Sequence, residues 1–221
     1  MIEAWEYVIK HPDKLLTWTL DHIQITLVAV AIAIVLGVSI GVFITGKGRD
    51  NVADTVLYLA EIAMTIPSLA LFGLLMVILN FLGLTTIGFL PAIIALIIYA
   101  QLPILRNTYV AIKAVDPAMI EAGKGMGMSE RQLLFRIKLP LAVPVIMAGL
   151  RNAVVMTIAI AAIAALIGSG GLGVPINRGL TNNRPDLIIV GGVSVAILGL
   201  LADGFMLLVE RWITPRGLRI G

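Results

Sequence analysis

Few residues in this chain have the types and spacing that catalysis or metal binding requires. Its two histidines, His11 and His22, stand eleven positions apart without a neighbouring set of metal ligands, and there is no cysteine. The glycine-rich stretch Gly168–Gly173 resembles a phosphate loop only superficially, because Val174 and Pro175 follow where such a loop needs lysine and serine or threonine. We therefore expect no catalytic residue, no metal site and no cofactor bound by this chain, and a tight turn or short re-entrant element at the glycines.

The side chains suited to binding a partner are concentrated between Glu121 and Pro140, in the stretch EAGKGMGMSERQLLFRIKLP. This stretch has six charged residues and three glycines in twenty positions of an otherwise apolar chain. Just before it, Asp116 can cap a short helix whose first position suits Pro117. That helix would carry a face of very small side chains, which lets another surface approach the backbone closely: Ala118, Ala122 and Gly125.

A second short helix is predicted after Gly127, which can end the first helix in the left-handed conformation that glycine adopts most easily. Ser129 and Gln132 have the spacing of a capping box, and Pro140 predicts a turn at the end of the second helix. The apolar face of this helix consists of Leu133, Leu134 and Ile137. On physical grounds alone, the segment is either a docking pair of helices or a loop lying on the membrane surface.

Long uncharged runs predict the elements that position this segment. The chain has 221 residues, of which 59% are hydrophobic and only 13% charged, against about 25% charged in soluble domains. A helical span needs roughly 20 apolar residues, so the uncharged run of residues 62–105 is long enough for two. The pattern predicts an all-α membrane protein of about five transmembrane helices, at approximately 20–45, 58–80, 87–111, 142–167 and 187–210.

The basic residues predict the orientation of these spans. With the N-terminus outside and the C-terminus inside, twelve lysines and arginines lie inside and four outside, as the positive-inside rule requires. The segment between residues 116 and 140 is then cytoplasmic. The inside set is Lys47, Arg49, Arg106, Lys113, Lys124, Arg131, Arg136, Lys138, Arg151, Arg211, Arg216 and Arg219, and the outside set is Lys10, Lys14, Arg178 and Arg184.

Charged residues within the spans are sparse and offer no relay for protons. Glu61, Arg106 and Asp203 lie near predicted cytoplasmic ends, where they can reach the interface or pair. No acidic residue falls near a midplane, where a proton-coupled carrier would place one, and the spans do not divide into two similar halves. These features disfavour an ion-coupled secondary transporter or channel, which remains the alternative, together with a scaffold that merely docks a partner.

The cytoplasmic segment resembles the EAA loop of permease subunits of bacterial ABC importers. That loop has Glu-Ala-Ala, three residues, Gly, nine residues and Ile-x-Leu-Pro. Glu121, Ala122 and Gly127 match it here, as do Ile137, Leu139 and Pro140, while Gly123 replaces the usual second alanine. The similarity continues through TIPSLALFG, LPILRNT, LAVPVIMAGLRNA and IGSGGLG, and these phrases are most similar to the osmoprotectant branch.

The resemblance implies a permease for glycine betaine, carnitine or choline in the bacterial cytoplasmic (inner) membrane, and not an enzyme. Its partners would be cytoplasmic ABC ATPase subunits that use ATP and Mg, an external substrate-binding protein and a second permease copy or paralogue, but no nucleic acid. We expect residues 1–19 to be an external interfacial segment, 20–215 the transmembrane domain and 216–221 a cytoplasmic tail.

The resemblance also implies residue roles. The ATPase-coupling contacts are expected at Glu121, Ala122, Gly123, Gly127, Ser129, Glu130, Arg131, Leu139 and Pro140. Polar and flexible residues of the second and fourth spans are candidates for the pathway and its gate: Met64, Thr65, Pro67, Ser68, Asn152, Met156 and Thr157. Ordinary helix packing is the alternative for each residue of this second group.

Overall fold

The computed structural model describes residues 2–214, and within that range all regular structure is helical. This confirms the predicted fold class, while the predicted tail at residues 216–221 lies outside the described residues. A single turn of 3-10 helix, Ala165–Ile167, follows α8. The helices are α1 (Ile2–Lys10), α2 (Pro12–Ile44), α3 (Asp50–Thr65), α4 (Ser68–Phe81), α5 (Phe89–Lys113), α6 (Pro117–Gly125), α7 (Glu130–Leu133), α8 (Leu139–Ala164), α9 (Gly173–Thr181) and α10 (Pro185–Ile213).

Within residues 2–214, four helical stretches are long and apolar enough to cross a membrane, namely α2, α5, α10 and the continuous stretch of residues 130–167. A fifth crossing is available if α3 and α4 together form one span. The first of these helices begins at Pro12, because proline suits the first turn of a helix. Residues 12–19, predicted to belong to a separate interfacial segment, are therefore the first two turns of α2.

The predicted span at 58–80 is not one straight helix. Helices α3 and α4 meet at an angle of 104° across Ile66 and Pro67. Ile66 is extended, with φ −69° and ψ 125°, as a residue before proline prefers to be. Proline lacks the N–H that a continuing helix needs, so the helix breaks at Pro67 between α3 and α4.

Helix α5 occupies the centre of the bundle and packs against α2 on one side and α8 on the other. Small residues allow these helices to approach closely, as they do in membrane bundles generally. A Cβ atom on Gly37 of α2 would lie 2.6 Å from Cγ2 of Ile104, and one on Gly149 of α8 would lie 2.7 Å from the backbone oxygen of Pro103. Both Ile104 and Pro103 belong to α5, so its two neighbours are fixed in register by glycine.

The glycine stretch after α8 forms a tight turn, as predicted. Gly168, Gly170 and Gly171 have φ values of 79°, 82° and 81°, which strongly favour glycine. The turn packs on the loop before α5, where the N–H of Gly88 donates to the oxygen of Ile167 at 2.8 Å. It therefore lies at the end of the bundle opposite to α6 and α7.

Candidate coupling site between α5 and α8

The first helix of the segment forms where the sequence predicts it. Asp116 caps α6 by accepting a hydrogen bond from the backbone N–H of Ala118 at 2.8 Å, and Pro117 occupies the first position. Only three residues, 114–116, separate α6 from the end of α5. A force on α6 therefore acts almost directly on the central helix of the bundle.

Gly127 ends this helix in a complete Schellman motif. Its φ is +76°, its N–H donates to the oxygen of Lys124 at 2.9 Å, and the N–H of Met128 donates to the oxygen of Gly123 at 3.1 Å. A Cβ atom on Gly127 would meet nothing within 4 Å. Glycine is therefore required here by backbone conformation and not by lack of space.

The capping box of the second helix is present with both of its hydrogen bonds. The N–H of Gln132 donates to the Ser129 hydroxyl at 3.3 Å, and the Gln132 side-chain oxygen accepts from the N–H of Ser129 at 2.8 Å. Helix α7 thus starts at a defined residue, immediately after the glycine. The two short helices have a fixed relative orientation that local hydrogen bonds establish.

Gly123 lies inside this pair of helices, although the sequence predicts that it contacts a partner. A Cβ atom on it would lie 2.5 Å from Cδ2 of Leu133 and 2.8 Å from Cδ1 of Ile137. Leu133 itself is 1% exposed. The replacement of the usual alanine by glycine therefore has a steric reason in this chain. Because Gly123 is buried against Leu133 and Ile137, it is not accessible to another protein.

The other predicted coupling residues are exposed, except for Leu139 and Pro140. Ala118, Ala122 and Gly125 form an open face of α6, since all three are exposed and a Cβ atom on Gly125 would meet nothing within 4 Å. Leu139 and Pro140 are half-buried where the segment joins the bundle. The remaining exposed residues of the predicted set are Glu121, Gly127, Ser129, Glu130 and Arg131.

Three exposed apolar side chains on this surface were not predicted. Met119 is 48% exposed, Met126 72% and Phe135 57%. The guanidinium of Arg131 lies 5.9 Å from the centre of the Phe135 ring, beside a recess of about 350 Å³. Flexible methionines next to a small-residue face suit a protein interface. In the sequence, the position of Met126 directly before Gly127 could have indicated it.

The predicted turn at Pro140 is wrong, because the helix continues through it. A π-helical turn, Leu134–Lys138, joins α7 to α8, and the N–H of Leu139 donates to Leu134 five residues earlier. Wider π-helical turns change which carbonyl faces each residue, which accommodates a proline that would otherwise clash with the carbonyl four residues before it. Residues 130–164 are consequently one unbroken helical stretch that leads from the segment into the membrane.

The predicted pathway residues of the second span gather at the break between α3 and α4. Thr65 and Pro67 are exposed, and Met64 and Ser68 are half-buried. The hydroxyl of Tyr99, from α5, donates to the backbone oxygen of Ile66 in the break. The bend is thus attached to the central helix, which also carries the connection to α6.

The predicted residues of the fourth span separate into two environments. Asn152 is exposed and Met156 half-buried. Thr157 is 1% exposed, and its hydroxyl donates to Ala153 within the same helix at 2.7 Å. Thr157 therefore packs in the core of the bundle, on a different face of α8 from Asn152.

A cluster of charges in the groove between α8 and α10 was only partly predicted. Arg151 binds both carboxylate oxygens of Asp203, with Nη2 at 2.9 and 3.1 Å, and its Nη1 lies 3.4 Å from Glu210. The side chains are about one-quarter to one-third exposed. The groove, of about 650 Å³, is lined by Asn152 as well. Pairing was expected for Asp203, but nothing in the sequence identified its partner.

Ion pairs also lie at the two ends of the bundle. Glu61 of α3 pairs with Arg106 of α5 at 3.2 Å, as was expected of charges near a span end. At the opposite end, Asp186 accepts from Arg184 at 2.5 and 2.9 Å, and this hydrogen bond raises the pKa of Arg184 above its usual value. Among residues 2–214, no three acidic or histidine side chains are close enough to hold a metal ion.

The sequence and the fold both match known proteins. The sequence is 38% identical to that of the osmoprotectant import permease protein OsmW of Salmonella typhimurium (strain LT2), in an alignment that covers 99% of this chain and 100% of the relative. It is 43% identical to the carnitine transport permease protein OpuCB of Listeria monocytogenes, covering 93% and 91%. The similarity to the glycine betaine/carnitine/choline transport system permease protein OpuCB of Bacillus subtilis (strain 168) is 40%, covering 99% and 97%.

Solved structures share the fold at lower identity. An inward-facing structure of the MetNI methionine ABC transporter contains a chain that matches with a TM-score of 0.80 and 23% identity, covering 93% of this chain and 99% of that one. A chain in the crystal structure of an amino acid ABC transporter with histidines matches with a TM-score of 0.78 and 20% identity, covering 92% and 95%. The family described as the binding-protein-dependent transport system inner membrane component matches residues 33–215. The chain belongs to this family and is a membrane-embedded permease subunit of an ABC importer.

Proposed function

We propose that this permease carries a small osmoprotectant such as glycine betaine, carnitine or choline, and that the surface of α6 and α7 receives the force that drives it. The observation that carries the mechanism is the way this surface is attached. Three residues join α6 to the central helix α5, and α7 continues without a break into α8. A displacement of the α6–α7 surface therefore moves two adjacent membrane helices together.

The source of that displacement is a separate cytoplasmic ATPase that uses ATP and Mg. The open small-residue face of α6 (Ala118, Ala122 and Gly125) allows close backbone approach, and Met119 and Met126 beside it provide adaptable apolar contacts. Glu121 and Arg131 are exposed at the same surface and can form charge-assisted hydrogen bonds with the partner.

The orientation of the chain follows from its charges, with the N-terminus outside and the C-terminus inside. Lys113, at the end of α5, pairs with Asp50, the first residue of α3, at 2.8 Å. Lys47 and Arg49, which directly precede Asp50, therefore lie at the same end of the bundle as Lys113, α6 and α7. This end carries the basic residues that the positive-inside rule assigns to the cytoplasm. An external binding protein then delivers substrate to the opposite end.

A second permease completes the pathway. One face of α10 has no covering helix among the described residues, and Leu200, Leu201 and Phe205 are 74%, 66% and 64% exposed there. The groove lined by Asn152, together with Met156 and the break at Thr65–Ser68, would line the route between the two copies. Thr157 has no part in it.

The substrate class is supported by the relatives, whose names refer to osmoprotectant, carnitine, choline and glycine betaine transport. The decisive experiment reconstitutes the permease with its ATPase and binding protein in vesicles and measures uptake of radiolabelled glycine betaine, carnitine and choline. We expect ATP-dependent uptake of at least one of the three that requires the binding protein.

The same vesicles test the alternative mechanism. With the permease alone, an ion gradient should produce no uptake. Accumulation driven by the gradient, without ATPase or ATP, would contradict the proposed mechanism. Uptake of none of the three compounds by a complex that hydrolyses ATP in response to its binding protein would contradict the substrate class and leave the mechanism intact.

A further inference from the structure

The turn at Gly168–Gly173 is attached to the bundle through a buried histidine. The backbone N–H of Leu172 donates to Nδ1 of His22 at 3.1 Å, and Nε2 of the same ring lies 3.0 Å from the backbone oxygen of Ile158. His22 is 1% exposed. One imidazole ring thus connects three parts of the chain: α2, α8 and the turn that follows α8.

The two hydrogen bonds define the chemical form of the ring. An N–H group can only donate, so Nδ1 must carry a lone pair to accept from Leu172. A carbonyl oxygen can only accept, so Nε2 must carry the proton that it donates to Ile158. His22 is therefore the neutral Nε2–H tautomer, and both of its nitrogens are used.

The glycines of the turn are required by this attachment. A Cβ atom on Gly171 would lie 2.9 Å from Nδ1 of His22, and one on Gly173 would lie 1.8 Å from the backbone oxygen of Ala162 in α8. Any larger residue at either position would push the turn away from the histidine or from the helix. Because the turn has no lysine with which to bind phosphate, close backbone packing is the role that remains for these glycines.

We infer that His22 is a positioning residue for transport, whose bond to Leu172 holds the turn after α8 in register with α2 so that the turn moves together with the bundle. This inference depends on the proposed function, because the α6–α7 surface is proposed to drive the movement of α8. Without the bond to Leu172, α8 would move while the turn at its far end lagged behind. ATP hydrolysis would then continue with less substrate delivered in each cycle.

Two conservative substitutions separate positioning from general packing. In His22→Asn, the side-chain oxygen can occupy the place of Nδ1 and accept from Leu172, whereas the bond to Ile158 is lost. In His22→Gln, the amide can reach the place of Nε2 and donate to Ile158, whereas the bond to Leu172 is lost. Each variant loses one buried hydrogen bond, so a purely structural role predicts equal effects on folding and transport.

The measurement is radiolabelled glycine betaine taken up per ATP hydrolysed by the reconstituted complex, with thermal unfolding measured alongside. We expect His22→Asn to remain within about twofold of the wild type and His22→Gln to fall roughly fivefold, the change expected for one lost hydrogen bond. Gly171→Ala should behave like His22→Gln. Gly83→Ala is its matched control, because Gly83 also has a positive φ, 67°, and a Cβ atom there meets nothing within 4 Å. Equal uptake per ATP in the two histidine variants would overturn the inference.

A spectroscopic test does not depend on these substitutions folding equally well. His11→Gln leaves His22 as the single histidine of the chain. Nitrogen-15 correlation spectra of this variant in lipid nanodiscs should show one neutral imidazole, protonated at Nε2 and not at Nδ1. The opposite tautomer, or the averaged signal of a free ring, would also overturn the inference. A wild-type complex that takes up no substrate would instead count against the proposed function, whatever this spectrum shows.

Discussion

The α6–α7 segment and the α8–α10 groove are held together by interactions of very different range. In the segment, the hydrogen bonds of caps and turns join residues at most five positions apart, such as Ser129 with Gln132 or Gly123 with Met128. In the groove, Arg151 pairs with acidic residues 52 and 59 positions away. The segment can therefore keep its shape while the bundle rearranges, whereas the groove exists only as long as α8 and α10 remain in register.

This difference assigns the two regions different mechanical roles. A surface that transmits force must be stiff on its own, and the segment has the local hydrogen bonds that make it so. A pathway must change shape, and the partly exposed ion pairs of the groove can break and reform at low cost. Perturbing a local element should therefore damage coupling with little loss of fold, and perturbing a long-range pair should mainly lower stability.

The largest effect is expected from Gly127→Val. A left-handed conformation costs a non-glycine residue about 1–2 kcal/mol, and more when it is β-branched. That strain would displace α7 relative to α6. We expect uptake per ATP hydrolysed by the reconstituted complex to fall about tenfold, corresponding to roughly 1.4 kcal/mol, while the complex still assembles.

Gly48→Val is the matched control for this change. Gly48 has a φ of 74°, against 76° for Gly127, and a Cβ atom at either position meets nothing within 4 Å. The two substitutions therefore impose similar strain on the chain, but Gly48 lies between α2 and α3. Equal losses of coupling in both variants, or normal uptake with Gly127→Val, would show that the local stiffness of the segment is not what matters.

Short-range chemistry explains why the sequence predicted the segment so well. The cap at Asp116, the stop at Gly127 and the capping box at Ser129 depend only on residues close by in the chain. The predicted turn at Pro140 was wrong because a π-helical turn before it allows the helix to continue past the proline. No residue type in this part of the sequence predicts a π-helical turn. The packing of Gly123 was missed because its contacts, Leu133 and Ile137, lie across the turn.

The groove and the span break were harder to predict because they depend on packing between helices. The spans and their number followed from hydropathy, but which face of each helix lies inward did not. The sequence predicts Asn152 and Thr157 together as pathway residues, although five positions on a helix place the two on different faces. The partner of Arg151 could be found only after α8 and α10 were placed side by side.

The largest loss of stability, as distinct from coupling, is expected from Arg151→Met, measured as the free energy of unfolding in detergent. It leaves Asp203 and Glu210, two turns apart on α10, without their shared cation. We expect a loss of about 2 kcal/mol, between the values for exposed and fully buried pairs. Adding Asp203→Leu removes one of the two carboxylates left without a partner and should restore about half of that loss.

Arg106→Met provides the comparison within the same bundle. Its pair with Glu61 also joins two helices but is more exposed, at 61% and 44% of the side chains. We expect a loss below about 1 kcal/mol, as for surface pairs. If removal of Arg106 were as costly as removal of Arg151, burial in the groove would not be the reason for the difference.

The next effect concerns the attachment of the span break to the central helix. Tyr99→Phe removes the hydroxyl that donates to Ile66 and leaves that backbone oxygen without this donor. We expect a loss of about 1 kcal/mol in stability. Tyr109→Phe is the control, since Tyr109 lies on the same helix. Its ring centre is 5.6 Å from Nζ of Lys113, and phenylalanine retains that ring. Similar losses in both variants would mean that the bond to Ile66 contributes nothing.

The smallest effect is expected at Gly123, where the local and long-range contributions oppose each other. Alanine stabilises a helix by about 1 kcal/mol relative to glycine. At Gly125 nothing opposes this gain, because a Cβ atom there meets nothing within 4 Å. At Gly123 the added methyl would collide with the ends of two flexible side chains, so we expect Gly123→Ala to change stability by less than about 0.5 kcal/mol and Gly125→Ala to raise it by about 1 kcal/mol.

The collision can be separated from the helix preference by changing the residue that causes it. Leu133→Val shortens the side chain whose Cδ2 lies 2.5 Å from the added Cβ. In that background Gly123→Ala should stabilise the protein by several tenths of a kcal/mol, because the gain in helix preference is then less opposed. The measurement is a double-mutant cycle of unfolding free energies. Additive values would mean that Leu133 does not restrict position 123, and that helix preference alone determines the effect of Gly123→Ala.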